Sequence, residues 1–481
     1  MEKAQDIAKF VDTSIFHVIG KCADELDMPC YVIGGYVRDR LLNRGNGKDI
    51  DVVVIGSGID VAKRVAKALP GKNNLSVFKN FGTAQVKHGN LEIEFVGARK
   101  ESYRADSRKP IVEDGTLSDD QNRRDFTINA LAIGLSKGEY GKLLDPFDGL
   151  KDLKDGLIRT PLEPTITFSD DPLRMMRAVR FATQLNFTIV DESMKALASQ
   201  ASRLEIISME RIMDEFNKIM AAPQPSKGLA LLYKTGLLEQ FLPEMLALKG
   251  VEEVEGQTHK DNFWHTLEVV DNIATRTDDV WVRWAGLLHD IGKPRTKKFS
   301  KKVGWTFHGH EFLGSKMVPK IFKRLKLPMN DKMKFVQKLV KMSSRPIAVV
   351  SDDATDSAVR RLLFDAGDDI DSLMILCEAD ITTKNPKKKK RYLKNYDVVR
   401  NKMVEVEEKD RLRNWQPPIS GDEIMKAFQM NPGPEIGQIK DAIREAILEG
   451  DIPNEHEAAH AFMISKGVEM GLKPAEQKDL S

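Results

Sequence analysis

The sequence predicts an α+β chain: an α/β head followed by an almost entirely helical remainder. Three observations carry this. Short Val/Ile-rich runs with period-two alternation recur before Lys100, in PCYVIGG, DIDVVVIG, TAQVKHG and LEIEFVG. Helical-looking runs separate several of them. From about Asp170 onward the apolar spacing is helical almost throughout. The boundaries expected are a head over 1–150, a neck over 151–225, a helical body over 226–415 and a helical tail over 416–481.

Composition narrows the class. The chain has 481 residues with 41% hydrophobic content, enough for several cores. Charged residues make up 30%, yet the net charge is only +2, so any nucleic-acid surface is local rather than global. Three cysteines, with no close pair, argue against a disulfide framework or a Cys-rich zinc site. The first 26 residues read as an amphipathic helix rather than a secretory signal. No run is apolar enough to span a bilayer, so no membrane partner and cytoplasmic residence are expected.

The first element with chemistry is YVIGGYVRDRLLNRGNGKDIDVVVI. Side chains alternate along a strand, so Asp49 and Asp51 project from one face while Ile50 turns to the other. Paired carboxylates at a strand tip are what Mg²⁺ needs to hold a nucleoside triphosphate. Gly34 and Gly35 let backbone amides approach phosphates that a Cβ would obstruct. Arg38 and the start of a helix at YVRDRLL add positive character. The competing reading is an acidic turn that merely caps a strand. Glu94, in the alternating LEIEFVG, is a candidate third carboxylate on a neighbouring strand, or else a solvated strand charge.

GGYVRD followed by DID resembles the signature of the bacterial-type (class II) CCA tRNA nucleotidyltransferases and poly(A) polymerases. RRDFTINALAI, LLDPFDGLKDLKDGLIRT, DDPLRMMRAVRFATQL and ISMERIMDEFNKIM follow in the family's order, covering about Tyr31 to Met220. The resemblance implies a polymerase-β-like nucleotidyltransferase head with an all-α neck and body. It also implies attack of a terminal RNA hydroxyl on the α-phosphate of CTP or ATP, with pyrophosphate released. Two metal ions about 3.5–4 Å apart would assist, carried by Asp49 and Asp51 with Glu94 beside them. In GGYVRD the nucleotide-binding set would be Gly34, Gly35, Arg38 and Asp39. In RRDFTINALAI, Phe126, Ile128, Leu131 and Ile133 read as core, while Arg124, Asp125 and Asn129 would meet the nucleotide. Asp125 could equally cap a helix there.

DDPLRMMRAVRF carries the specificity expectation. Asp171 and Arg174 are three apart on an expected helix and so share a face, which Arg177 and Arg180 continue. Cytosine and adenine both offer a ring-nitrogen acceptor beside an exocyclic amine. A carboxylate accepts from the amine and a guanidinium donates to the ring nitrogen. Uracil and guanine present the reverse pattern and would leave both protein groups unpaired. The family pattern is Glu-Asp-x-x-Arg, and Asp170 here shortens the first acid. The competing reading is a capped helix with Asp170 as N-cap and Pro172 near its start.

Three further segments complete the reading. Lys100 to Gln121, polar and punctuated by Pro and Gly, reads as a mobile loop beside the active site. In the bridging helix ISMERIMDEFNKIM, Glu210, Arg211, Glu215 and Lys218 read as structural ion pairs. Lys387, Lys388, Lys389, Lys390 and Arg391 form a solvated surface or an RNA-backbone contact.

Beyond Gly250, WHTLEVVDNI, RWAGLLHDIGKP and FHGHEFLGSKM resemble an HD-type metal-dependent phosphohydrolase domain over about 255–400. The resemblance makes His265, His289, Asp290 and Asp380 the ligands of a divalent metal, with His289 and Asp290 on a helix ending at Gly292. His308 and His310 could bind a second ion or a substrate phosphate. The function expected is CCA addition to the tRNA 3′ end from CTP and ATP. Its alternatives are a poly(A) polymerase, a CC- or A-adding enzyme, and an HD phosphohydrolase whose head only binds RNA.

Overall fold

The structure, a computed structural model, describes residues 7–45, 47–104, 107–254, 257–258, 260–349, 355–410 and 417–475. It divides into two compact units, Met1–Leu246 and Ala247–Ser481.

In the first unit, α1 (Ser14–Asp24) precedes β1 (Cys30–Ile33), α2 (Gly35–Leu41), β2 (Asp49–Val54) and α3 (Gly58–Ala68). The hairpin β3 (Asn74–Phe78) and β4 (Thr83–His88) leads into β5 (Leu91–Gly97). The expected N-terminal helix is broken: a single 3₁₀ turn over Ala8–Phe10 comes first, and α1 starts only after Thr13, whose backbone is extended. Residues 1–6 of that expectation lie outside the described residues.

A second hairpin pairs β6 (Arg99–Arg104) with β7 (Ser107–Asp114), before α4 (Leu117–Asn122). This corrects the expected loop over Lys100 to Gln121. Backbone groups that a loop would leave to water are paired across the hairpin instead. RRDFTINALAI also departs from a helix. A 3₁₀ turn over Thr127–Asn129 runs into β8 (Ala132–Gly134), because Ala132 and Ile133 are fully buried and pair with β1.

β9 (Leu143–Leu144) closes a seven-stranded mixed sheet of order β3-β4-β5-β2-β1-β8-β9. β2 and β5 run parallel and the other neighbours antiparallel. Val52, Val53 and Val54 are buried on both faces, so the strand is anchored behind its acidic tip.

The neck follows: α5 (Gly149–Asp155), α6 (Pro164–Asp170), α7 (Leu173–Gln184), α8 (Asp191–Gln200) and α9 (Met209–Met220). Ile212, Met213, Phe216, Ile219 and Met220 form one buried stripe on α9, which packs on α7. Asp171 and Arg174 do not share one helix. Pro172 drives the residue before it out of helical geometry, and Asp171 is extended at φ −135°, ψ 97°. Asp170 ends α6, and the capping role falls to Asp171, whose Oδ1 accepts from the Leu173 amide at 3.2 Å. Two further helices, α10 (Pro225–Lys234) and α11 (Leu237–Phe241), end the unit.

The second unit is helical apart from two short strand pairs. It runs through α12 (Asn262–Ala274), α13 (Val280–Leu288), α14 (Lys293–Thr296), α15 (His310–Arg324), α16 (Asp331–Met342) and α17 (Arg345–Ala348). Then come α18 (Asp356–Ala366), α19 (Ile370–Ala379) and α20 (Pro386–Asp410). Another three, α21 (Gly421–Phe428), α22 (Pro434–Glu449) and α23 (His456–Glu469), enclose their own apolar cluster around Ile424, Ile443 and Met463. The expected boundary between 415 and 416 lies outside the described residues. Among the described residues no helix is long and apolar enough to cross a membrane.

Candidate functional site

The parallel pairing of β2 with β5 sets Asp51 directly opposite Glu94. Asp49 lies two residues back on the same face, while Ile50 is buried on the other. Three carboxylates therefore share one corner of the sheet. Their proximity is costly without a cation. Burial raises the Asp51 pKa; Arg124 opposes this and Asp49 adds to it. Desolvation and then the Asp51 charge raise that of Glu94.

Gly34 links β1 to α2 at φ +81°, a conformation that favours glycine. A Cβ there would lie 3.0 Å from Arg124 Nη1 and 3.5 Å from Asp51 Oδ2. That cradle beside a carboxylate corner, all hard oxygen donors, suits a small divalent ion with a triphosphate. Gly35, Arg38, Asp39, Lys48, Asp49 and Asp51 help line a cleft of about 260 Å³ there.

A polar chain fixes the next shell of groups. Arg38, 8% exposed, donates through Nη1 to Asn129 Oδ1 at 2.7 Å and through Nε and Nη2 to both Asp39 oxygens. Asn129 Nδ2 donates to Asp125 Oδ1 at 2.9 Å, so both ends of its amide are engaged. It acts through Arg38 and Asp125. Arg177 Nε donates to Asp125 Oδ2 at 2.7 Å. Burial works to raise the Asp125 pKa, but the Arg177 charge and the Asn129 hydrogen bond outweigh it and hold the carboxyl below its ordinary value. Asp125 caps no helix; its Oδ1 accepts the Phe126 amide at the 3₁₀ turn.

A larger cavity, about 1150 Å³, brings Asp171 and Arg174 together with Arg123 and Arg211. Arg174 is held in place by donating to the carbonyls of Thr167 at 3.2 Å and Arg123 at 2.6 Å. Arg211, expected to be purely structural, borders this cavity. Glu215 and Lys218 are ion-paired as expected, at 3.3 Å. Arg180 lies over the Phe181 ring, as Arg38 and Arg177 do. It is buried against Glu215 and stacked 3.9 Å from the Phe181 ring centroid.

Sequence reasoning missed Asp120. It is fully buried and accepts from both Arg123 and Arg124. The signal was present: an acid three and four residues before a pair of arginines.

In the second unit, His265 (α12), His289 and Asp290 place ligand atoms within 4.8 Å of one another, and all three are buried. Asp380, which follows α19, brings Oδ1 to 2.7 Å from His265 Nε2 and 3.5 Å from His289 Nε2. The doublet lies just past the end of α13 at Leu288, rather than on a helix reaching Gly292. A Cβ on Gly292 would lie 2.2 Å from the His310 carbonyl, so only glycine permits the approach that sets His310 Nε2 3.5 Å from Asp290. His308 is exposed. His289 Nδ1 hydrogen-bonds the Gly286 carbonyl at 2.7 Å, which leaves Nε2 facing the Asp290 and Asp380 carboxylates at 3.4 and 3.5 Å. That Nε2 is buried with no hydrogen-bond partner. An orphaned imidazole nitrogen among buried carboxylates fits a divalent metal ligand. Burial works to raise the Asp290 pKa, but His289 and its hydrogen bonds hold the carboxyl well below the ordinary value.

Residues 30–159 match a profile described as the poly(A) polymerase head domain, and residues 186–248 one described as a probable RNA and SrmB-binding site of polymerase A. Residues 262–384 match the HD domain. An A-adding tRNA nucleotidyltransferase of Deinococcus radiodurans is 33% identical over 351 residues, covering 71% of this chain and 78% of that one. The chain belongs to the tRNA nucleotidyltransferase and poly(A) polymerase family. It is thus a nucleotidyltransferase with an attached HD domain, and both parts imply use of divalent metal. A CCA-adding enzyme of Geobacillus is 28% identical over 445 residues, covering 92% and 94% of the two chains. A solved CCA-adding enzyme in complex with ATP shares the fold at TM-score 0.64, with 23% identity and 98% of each chain covered.

Proposed function

We propose that the chain adds C, C and A to the 3′ end of tRNA from CTP and ATP without a template. The observation that carries this is the carboxylate corner of Asp49, Asp51 and Glu94 beside the Gly34 turn. These acids would hold Mg²⁺, which when bound lowers the pKa of the primer hydroxyl and neutralises the leaving pyrophosphate.

The chain's own groups do the rest. Gly34, Gly35 and Arg38 bind the triphosphate, and Asn129, Asp39 and Asp125 hold Arg38 and Arg177 towards it. Asp171 and Arg174, in the cavity that Arg123 also lines, read the base edge. The 3′-oxygen bonds to the α-phosphorus, the bond to the bridging oxygen of the pyrophosphate breaks, and the hydroxyl proton is lost.

Incorporation on tRNA transcripts ending before CCA, after the first C and after the second C tests the reading. Stepwise C, C, A and then arrest supports it, and continued A addition refutes it. The Deinococcus relative's name favours a second reading, A addition alone. That reading predicts extension of only the last transcript.

In the HD unit His265, His289, Asp290 and Asp380 would hold a divalent transition metal for hydrolysis of terminal phosphates. An HD phosphohydrolase whose head merely binds RNA predicts no incorporation on any transcript.

A further inference from the structure

We infer that Asp120 is a positioning residue that ties the base pocket to the catalytic carboxylates. The inference rests on the proposed nucleotidyl transfer and names a residue which that proposal does not use.

Among the described residues of the head Asp120 is the most buried acid, at 0% exposure, on the short helix α4. Its oxygens are divided between two guanidinium groups. Oδ1 accepts Arg123 Nε at 2.9 Å and is also paired with Nη2 of the same residue. Oδ2 accepts Arg124 Nε at 3.1 Å and Nη2 at 3.0 Å. Each guanidinium gives two donors to a single carboxylate oxygen, which fixes it in direction as well as place.

Each arginine then faces a different part of the site. Asp120 occupies Nε and Nη2 of Arg124, so Nη1 is the group at the Gly34 turn, which Asp51 Oδ2 also borders. Arg123 borders the cavity that holds Asp171 and Arg174, and its carbonyl accepts from Arg174 Nη2 at 2.6 Å. One carboxylate thus holds both the cation at the Gly34 turn and the arginine whose carbonyl accepts from Arg174. α4 itself is pinned by a Thr116–Asp119 capping box and by Gln121 Nε2 donating to the Ala130 carbonyl at 2.8 Å. Asp120 therefore stands on a fixed support.

A purely structural ion pair would affect stability alone. A positioning residue acts through its arginines, and a double-mutant cycle separates the two cases. The full chain is assayed on the tRNA transcripts for kcat and KM with CTP and ATP, and for incorporation of UTP and GTP. Asp120→Asn is expected to lower kcat/KM about tenfold or more and to raise UTP and GTP use relative to CTP and ATP. In an Arg123→Ala, Arg124→Ala background the same change should cost less than about twofold. Equal losses in both backgrounds overturn the inference.

Should Asp120→Asn not fold, Arg124→Lys is decisive. It keeps the charge but cannot take both Asp120 and the Gly34 turn, so kcat should fall while the unfolding midpoint holds. Wild-type kcat in Arg124→Lys overturns the inference. Absence of any incorporation by the wild-type chain removes the nucleotidyl-transfer reading and this inference with it. Additive effects in an active chain remove only the role of Asp120.

Discussion

Asp51 and Glu94 stand directly across from one another on the parallel strands β2 and β5, in a sheet whose opposite face is buried there. Burial raises the pKa of both, and the Asp51 charge raises that of Glu94 further, a cost that a bound cation would relieve. Glu94→Gln should therefore lower kcat on the order of a hundredfold while tRNA binding persists. Single-turnover incorporation measured beside a tRNA-binding titration checks this, and an unchanged rate would return Glu94 to a solvated strand charge.

The Gly34 turn makes a separate demand. A methyl group there meets Arg124 Nη1 at 3.0 Å and forces a left-handed backbone on alanine. Gly34→Ala should cost about 1–2 kcal/mol of stability and raise KM for both CTP and ATP together, since the triphosphate rather than the base is displaced. Denaturant unfolding and steady-state kinetics read the two effects.

Arg180 tests where the nucleotide surface ends. Its removal leaves Glu215, 4% exposed, with Lys218 at 3.3 Å as its other cation. Arg180→Met should lose on the order of 3 kcal/mol. KM for CTP and ATP should stay within about twofold below the new unfolding midpoint. A selective rise in KM would place Arg180 in the site after all.

The Asp125–Arg177 pair gives a pH signature. The native Asp125 carboxyl titrates below its ordinary 3.8. Its contribution is therefore fully present above the unfolded-state pKa and is lost as pH falls through the native one. The stability gap between wild type and Asp125→Asn should be constant above about pH 5 and shrink towards pH 3. Unfolding titrations across that range decide it, and a gap that grows on acidification contradicts the pairing.

The HD cluster predicts a metal-linked stability. With His289 Nε2 orphaned and His265, Asp290 and Asp380 around it, a transition metal at a hundred times its Kd should stabilise the chain by about 2.7 kcal/mol. The shift should vanish in His289→Ala. Thermal melts with and without metal and chelator, with metal content measured alongside, provide the check.

Much of this was legible in sequence because strand alternation and motif spacing are local. Asp49, Ile50 and Asp51 declare their faces by position alone, and β2 bears that out. The pairing of β2 with β5 is non-local, so Glu94 could be suspected but its register with Asp51 could not be read. The break at Asp171 was readable from Pro172, but helical spacing across DDPLRMMR overrode it. In RRDFTINALAI the core positions Phe126, Ile128, Leu131 and Ile133 were readable, but the helix that Asp125 could have capped is a turn and a strand, because Ala132 and Ile133 are buried beside β1. The hairpin over Arg99–Asp114 was hidden by polar composition, since its cross-strand hydrogen bonds need no apolar pattern.

The most direct test of the central claim is radiolabelled AMP and CMP incorporation into tRNA by Asp49→Ala and Asp51→Ala chains that bind tRNA as the wild type does. Incorporation should fall by about three orders of magnitude in each. Extension at the wild-type rate by either variant would contradict it.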